Sequence, residues 1–206
     1  MARTSRLGIL GGTFNPVHLG HLIMAQDALE CFDLSQVIFV PCSKPPHKPA
    51  SGLAPARHRL AMLEAAIGGN PHFEVSDLEI RRGGVSYTVE TMRAIAAAHP
   101  GVELCFIIGA DSLPELHLWK DIDALLEICR IVTIARPGID LAQTLTDGPE
   151  SDDVRVRRLR ADIRAGHLVD VSSTDVRRRV AEGMSIRYLV PPAVEEYIGE
   201  HSLYRS

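Results

Sequence analysis

The residues with the clearest chemical potential lie near the start of the chain, in Gly11-Gly12-Thr13-Phe14-Asn15-Pro16-Val17-His18-Leu19-Gly20-His21. An apolar run at 7–10 precedes them and a helical stripe follows, so they read as a strand-to-helix junction. Glycines at such a junction let the main chain approach a ligand. A helix start adds unpaired N–H groups and a dipole that favours an anion. His18 and His21 are three residues apart at that start and can face the same way. Two imidazoles so placed could donate hydrogen bonds to phosphate oxygens. The run is neither the dinucleotide fingerprint, which needs G-x-G-x-x-G, nor a P-loop, which needs Gly-Lys-Ser/Thr. Zinc is the alternative for the histidine pair, but no H-E-x-x-H or matched cysteine pair completes such a site.

A second junction is Ser172-Ser173-Thr174-Asp175-Val176-Arg177-Arg178-Arg179. Three hydroxyls end a strand-like segment and open a helix, with a guanidinium one turn on. Ser173 or Thr174 can cap that helix. Capping does not use all three hydroxyls, so Ser173, Thr174 and Arg177 also read as a second anion clamp, suited to a polyphosphate. Arg178 and Arg179 read as solvated.

The elements that must position these groups alternate. Strands are expected at 7–10, 37–41, 103–108, 131–135 and 168–171, and one or two short ones within 73–80. Helices are expected at 19–31, 56–67, 88–98, from 173 toward Gly183, and from Pro192. Residues 43–55 read as a proline-rich loop. Residues 139–166 are polar with mixed charge and read as a solvated loop and helix rather than a nucleic-acid patch. Strand-helix alternation implies an α/β, doubly wound, mostly parallel sheet, with ligands at the carboxyl ends of the strands. Without repeats, low-complexity tracts or linkers, residues 1–206 read as a single domain.

Composition narrows the partners. The 206 residues are 46% apolar and 23% charged, ordinary for a soluble globular chain. With 22 basic and 26 acidic residues the net charge is −4, which argues against a bulk nucleic-acid binder but not against small anions in local pockets. The run 7–26 contains no Lys, Arg, Asp or Glu, yet its glycines, Asn15, Pro16 and histidines break any continuous apolar segment. It reads as neither an export signal nor a membrane span. Four cysteines without C-x-x-C spacing fit a reducing, cytoplasmic setting.

The pair Gly11-Gly12-Thr13-Phe14-Asn15-Pro16…His18-x-Gly20-His21 and Ser172-Ser173-Thr174-x-x-Arg177 resembles the H-x-G-H nucleotidylyltransferase superfamily, with its Rossmann-like fold. Pro41-x-x-x-Pro45-Pro46-His47-Lys48, Ser86-Tyr87-Thr88, Gly109-Ala110-Asp111-Ser112 and Trp119 narrow the resemblance to the bacterial nicotinate-nucleotide adenylyltransferases, over nearly the whole chain. The resemblance implies transfer of AMP from ATP to nicotinic acid mononucleotide, giving deamido-NAD and pyrophosphate. Gly11, Gly12, Thr13, Phe14, His18, His21, Gly109, Asp111, Ser173, Thr174 and Arg177 would bind ATP. Asn15, Lys44, His47, Tyr87, Thr88 and Trp119 would bind the acceptor, and His18, His21, Lys44 and Arg177 would serve the transfer. Mg²⁺ would arrive on ATP, needing few protein ligands. Asp111 alone could equally be a helix cap with Ser112, and Trp119 alone could be core packing. The chain departs from many relatives at Lys120, where a tyrosine is expected. A pantetheine-phosphate adenylyltransferase, or a nucleotide-sensing protein without turnover, are the neighbouring readings. A homo-oligomer is compatible with the sequence.

Overall fold

The computed structural model describes residues 5–45, 52–135, 159, 162–167 and 169–205. Strands β1 (Arg6–Gly12), β2 (Gln36–Pro41), β3 (Phe73–Val75), β4 (Glu103–Gly109), β5 (Arg130–Ala135) and β6 (Ile163–Ala165) form a parallel sheet in the order β3-β2-β1-β4-β5-β6. This is the doubly wound order, whose direction of growth reverses between β1 and β4. In parallel register Arg6 faces Glu103 and Ile9 faces Phe106, while Cys105 to Gly109 run beside Arg130 to Ile134. Near-continuous apolar runs such as Leu-Cys-Phe-Ile-Ile in β4 suit strands covered on both faces.

The connecting helices are α1 (Leu19–Cys31), α2 (Ala56–Ile67), α3 (Leu78–Arg82), α4 (Thr88–Ala98), α5 (Ile122–Ile128), α6 (Ser173–Ala181) and α7 (Pro192–Glu200). A 3₁₀ segment, Ala110–Leu118, follows β4. Helix α4 buries Val89, Met92 and Ile95, spaced three apart on one face. Helix α2 buries Arg59, Met62, Leu63 and Ile67. A charge thus stands at a position where the stripe calls for a hydrophobe.

The chain forms two compact units. The first contains Met1–Leu10, Met24–Val37 and Tyr87–Leu168, with a core around Ile9, Met92, Phe106, Ile107, Leu125 and Val132. The second contains Gly11–Ile23, Ile38–Ser86 and Val169–Ser206, with a core around Phe14, Val17, Phe39, Met62, Leu63 and Val194. In the second unit α2 packs against α7 and β3.

One expectation from sequence is made definite and one is corrected. In 73–80 only β3 is a strand; Leu78 opens α3, stabilised by the Arg81 to Asp77 ion pair at 2.9 Å across one helical turn. The last strand is Ile163–Ala165, within the stretch read as loop and helix, whereas 169–171 are irregular. Its placement comes from β5: Thr133 N–H donates to Asp162 O at 2.9 Å and Gly166 N–H to Ala135 O at 3.1 Å. Arg130 Nε also grips Asp162 Oδ2 at 2.6 Å. Only Ile163 of the three β6 residues is shielded from full exposure, so no apolar pattern announces the strand. The 3₁₀ segment Ala110–Leu118 follows Gly109, and α5 follows it. Residues 136–158 and 168, and with them most of the polar stretch, lie outside the described residues.

Candidate active site

In the second unit β1 ends at Gly12 and the chain turns through Thr13 to Val17 into α1. Phe14 adopts a positive φ of 46° and is buried. Its ring lies T-shaped against His21, with centroids 5.0 Å apart, and backs onto Phe39 at 5.9 Å. A Cβ at Gly12 would stand 3.0–3.3 Å from that ring, so glycine is what admits Phe14 as a buttress. The His18 and His21 rings lie face to face, centroids 3.7 Å apart and 31° inclined. A Cβ at Gly20 would come within 3.1 Å of His18 Nδ1, which explains the small residue between the histidines.

The protonation of His21 follows from its partner. His18 N–H donates to His21 Nδ1 at 3.2 Å, so the neutral His21 ring carries its proton on Nε2. Nε2 is then a hydrogen-bond donor on a half-exposed side chain. His18 itself is buried, 3% exposed. The helix start is partly engaged, because Leu19 N–H donates to Leu189 O at 2.9 Å.

The second junction joins the first. Ser173 Oγ donates to Pro16 O at 2.8 Å, and Arg177 Nη1 donates to Asn15 O at 2.8 Å. Arg177 Nη2 reaches Thr174 Oγ1 at 3.4 Å. The two anion-binding segments read separately in the sequence are therefore one braced structure. The helix cap is neither Ser173 nor Thr174: Ser172 Oγ accepts from Asp175 N–H at 3.1 Å. Arg178 bridges Asp175 and Glu182 on the surface, and Arg179 Nε donates to Ser185 O.

Asn15 is a buried hub. Its Nδ2 donates to Gly52 O at 2.9 Å, and its Oδ1 accepts from Ala54 N–H at 3.0 Å and Tyr204 Oη–H at 2.8 Å. The Asn15-Pro16 peptide is cis. Burial pushes the Tyr204 hydroxyl well above its ordinary pKa, against the lowering influence of Arg177 and Arg59.

Lys44 is exposed, but its backbone is fixed. Ser86 N–H donates to Lys44 O at 3.0 Å, and Ser43 N–H donates to Ser86 Oγ at 3.0 Å. His47 lies outside the described residues. Sequence reasoning missed Arg59 and Tyr204. Arg59 carried a legible signal, a guanidinium on the apolar face of α2. Tyr204 carried none, since its partner is 189 residues away.

In the first unit β4 ends at Gly109, and Asp111 lies exposed in the first turn of the 3₁₀ segment. Asp111 is not a cap, since no side chain caps that segment. Trp119 is half-buried and T-shaped against Phe106, centroids 5.8 Å apart. Tyr87 precedes α4 and Thr88 opens it. Lys120 Nζ sits 4.2 Å from the Tyr87 ring centre and 2.7 Å from Glu90 Oε1. The Glu90 hydrogen bond raises the Lys120 pKa above its ordinary value, so the side chain is a cation.

Among the described residues no group of three or more His, Cys, Asp or Glu side chains could hold a metal ion. Cationic and neutral donors dominate the second-unit site, a donor set that suits anionic groups such as phosphates. No helix of the described residues is long and apolar enough to cross a membrane.

The family model described as Cytidylyltransferase-like matches residues 9–179, which sets the chain in that class. A probable nicotinate-nucleotide adenylyltransferase of Symbiobacterium thermophilum is 47% identical over 205 residues, covering 97% of this chain and 95% of its own. Another from Thermomicrobium roseum is 43% identical over 204 residues, covering 98% and 92%. The chain belongs to the nicotinate-nucleotide adenylyltransferase family. Its fold also matches a solved structure of Plasmodium falciparum nicotinic acid mononucleotide adenylyltransferase complexed with NaAD. That match has a TM-score of 0.74 at 17% identity and covers 97% of each chain.

Proposed function

We propose that this chain carries out its family's reaction through the two braced junctions. AMP passes from ATP to nicotinic acid mononucleotide, giving deamido-NAD and pyrophosphate in NAD biosynthesis. The acceptor's phosphate oxygen attacks the α-phosphorus of ATP; that P–O bond forms as the bond to the β-phosphate oxygen breaks. The nucleophile is already an anion, so no side chain has to remove a proton. What remains is alignment and stabilisation of charge on the leaving pyrophosphate.

The observation that carries this reading is the His18–His21 pair, with centroids 3.7 Å apart, just beyond the turn that follows the Gly11-Gly12 end of β1. With Nδ1 accepting from His18 N–H, His21 Nε2 donates to the ATP phosphates, and His18 lines the same turn. Gly11, Gly12, Thr13 and Phe14 bring main-chain N–H groups near those phosphates. Thr174 and the donors of Arg177 not spent on Asn15 O hold the β- and γ-phosphates, with Ser173 bracing the turn. Lys44 adds positive charge beside the reacting phosphates. Gly109 and Asp111 serve the adenosine. Asn15, His47, Tyr87, Thr88 and Trp119 serve the acceptor, with Trp119 stacking on the pyridine ring and the start of α4 favouring its carboxylate. Mg²⁺ enters as part of the MgATP substrate and offsets phosphate charge. The reaction is cytoplasmic.

Pyrophosphate release is measured with nicotinic acid mononucleotide, nicotinamide mononucleotide and 4′-phosphopantetheine as competing acceptors. The expected result is turnover with the first, far above the other two. No release with nicotinic acid mononucleotide overturns the assignment. Release only with phosphopantetheine moves the chain to the neighbouring activity, and none with any acceptor leaves a nucleotide-sensing protein.

A further inference from the structure

Helix α2 places a guanidinium where its apolar stripe would bury a hydrophobe. Arg59 is 1% exposed, among the largest wholly buried side chains. Removing such a charge from water is costly unless its donors are satisfied. They are satisfied by three backbone carbonyls from two connections, one between β1 and α1 and the other between β2 and α2. Nε donates to Ala54 O at 3.0 Å, Nη1 to Thr13 O at 2.8 Å and Nη2 to Ser43 O at 3.2 Å. Nη1 also lies 4.0 Å from Cys42 Sγ. Burial raises the Cys42 thiol above its ordinary pKa, so this neighbour is a neutral thiol.

The carbonyls chosen have a directional consequence. A trans peptide is planar, with the carbonyl of one residue and the N–H of the next on opposite sides. Drawing Thr13 O onto Arg59 turns the Phe14 N–H away from Arg59. Drawing Ser43 O onto the same group turns the Lys44 N–H away likewise. One rigid, planar fork therefore fixes two peptides, one in the histidine-bearing turn and one at Lys44. The same turn is held from its other end by Arg177 at Asn15 O and Ser173 at Pro16 O.

We propose that Arg59 is a positioning residue for AMP transfer, setting the Thr13–Phe14 peptide and Lys44 in fixed relation so that both meet the reacting phosphates together. This rests on the proposed reaction. A lysine at 59 keeps the charge but has a single ammonium, which cannot span three carbonyls in the fork's geometry. Arg59 touches no substrate in this scheme; it acts through Thr13–Phe14 and Lys44.

The test uses the full-length protein with MgATP and nicotinic acid mononucleotide, comparing wild type, Arg59→Lys, Lys44→Ala, the double variant and Leu63→Ala. Leu63 is wholly buried on the same helix and belongs to no part of the site. Displacing reacting groups by about 1 Å costs on the order of 100-fold in rate, and Arg59→Lys is expected to lose that much in kcat with a smaller change in KM for ATP. Leu63→Ala is expected to lower the melting temperature and keep kcat. In the double variant the two losses are expected to combine to clearly less than their product, because part of the Arg59 effect runs through Lys44. If Arg59→Lys does not fold, Arg59→Met, which buries no charge, replaces it in the same comparison. The proposal is overturned if Leu63→Ala, at a comparable loss of melting temperature, lowers kcat as much as Arg59→Lys does, or if the losses multiply in full. An inactive wild type overturns the reaction instead, which separates the two failures.

Discussion

At the scale of single residues the chemistry depends on which atoms are already spoken for. His21 Nδ1 is occupied by the His18 N–H, which leaves Nε2–H as its donor. An asparagine at 21 reproduces the Nδ1 position, whereas a glutamine places its amide near Nε2. His21→Asn is therefore expected to lose on the order of 100- to 1,000-fold in kcat, the usual cost of deleting a donor to developing charge. His21→Gln should retain several-fold more than His21→Asn. Steady-state pyrophosphate release measures both, and the reverse order would show that Nε2 is not the working atom. Asn15 illustrates the other side of this accounting. Both lone pairs of its oxygen and one amide hydrogen go to Ala54, Tyr204 and Gly52, so what it offers a substrate is the remaining N–H.

At the scale of elements, α2 and α7 meet through a titratable cluster. His58 Nδ1 lies 3.0 Å from Tyr197 Oη, and His201 stacks on the Tyr197 ring at 4.0 Å between centroids. Desolvation, then the charges of Arg57 and His201, hold the His58 pKa below its ordinary value. As pH falls, the unfolded chain therefore binds this proton before the folded one does. The stability contributed here is complete above the unfolded pKa of about 6.5 and is lost progressively below it. Wild type is expected to melt at a lower temperature at pH 5.5 than at pH 7.5, with a smaller difference in His58→Gln. Equal differences in calorimetry would show that His58 is not responsible. Helices α1, α2 and α4 follow from periodicity because each carries an apolar stripe long enough to define its period. Helices α3 and α5 and strand β6 do not, being 5, 7 and 3 residues long and fixed by their neighbours.

For the whole molecule, a net charge of −4 and a site built from local donors lead to one selectivity. On the proposed site, small phosphates are expected to bind where main-chain N–H groups, imidazoles and single basic residues converge, whereas a long polyanion would meet a net negative charge. MgATP at about 100 times its Kd is expected to stabilise the fold by about 2.7 kcal/mol, read from the denaturant midpoint. Single-stranded RNA at physiological salt is expected to leave that midpoint unmoved. A comparable shift with RNA would mean that the net negative charge does not keep polyanions away.

The sequence by itself determined the alternating α/β pattern, the strand-to-helix junction that carries His18 and His21, the Ser-Arg junction at 172–177 and the family. Each is written in local spacing: short apolar runs, three-residue offsets, glycines where the chain turns. Tertiary structure alone decided that the two junctions are one brace, since Ser173 and Arg177 reach Pro16 and Asn15 across 157 and 162 residues. It likewise decided that Ser172 rather than Ser173 caps α6, because Ser173 has a stronger claim on a distant carbonyl. It also gave Arg59 its partners. A sequence shows that a charge sits on an apolar stripe; which carbonyls satisfy it depends on loops brought together only when the chain has folded.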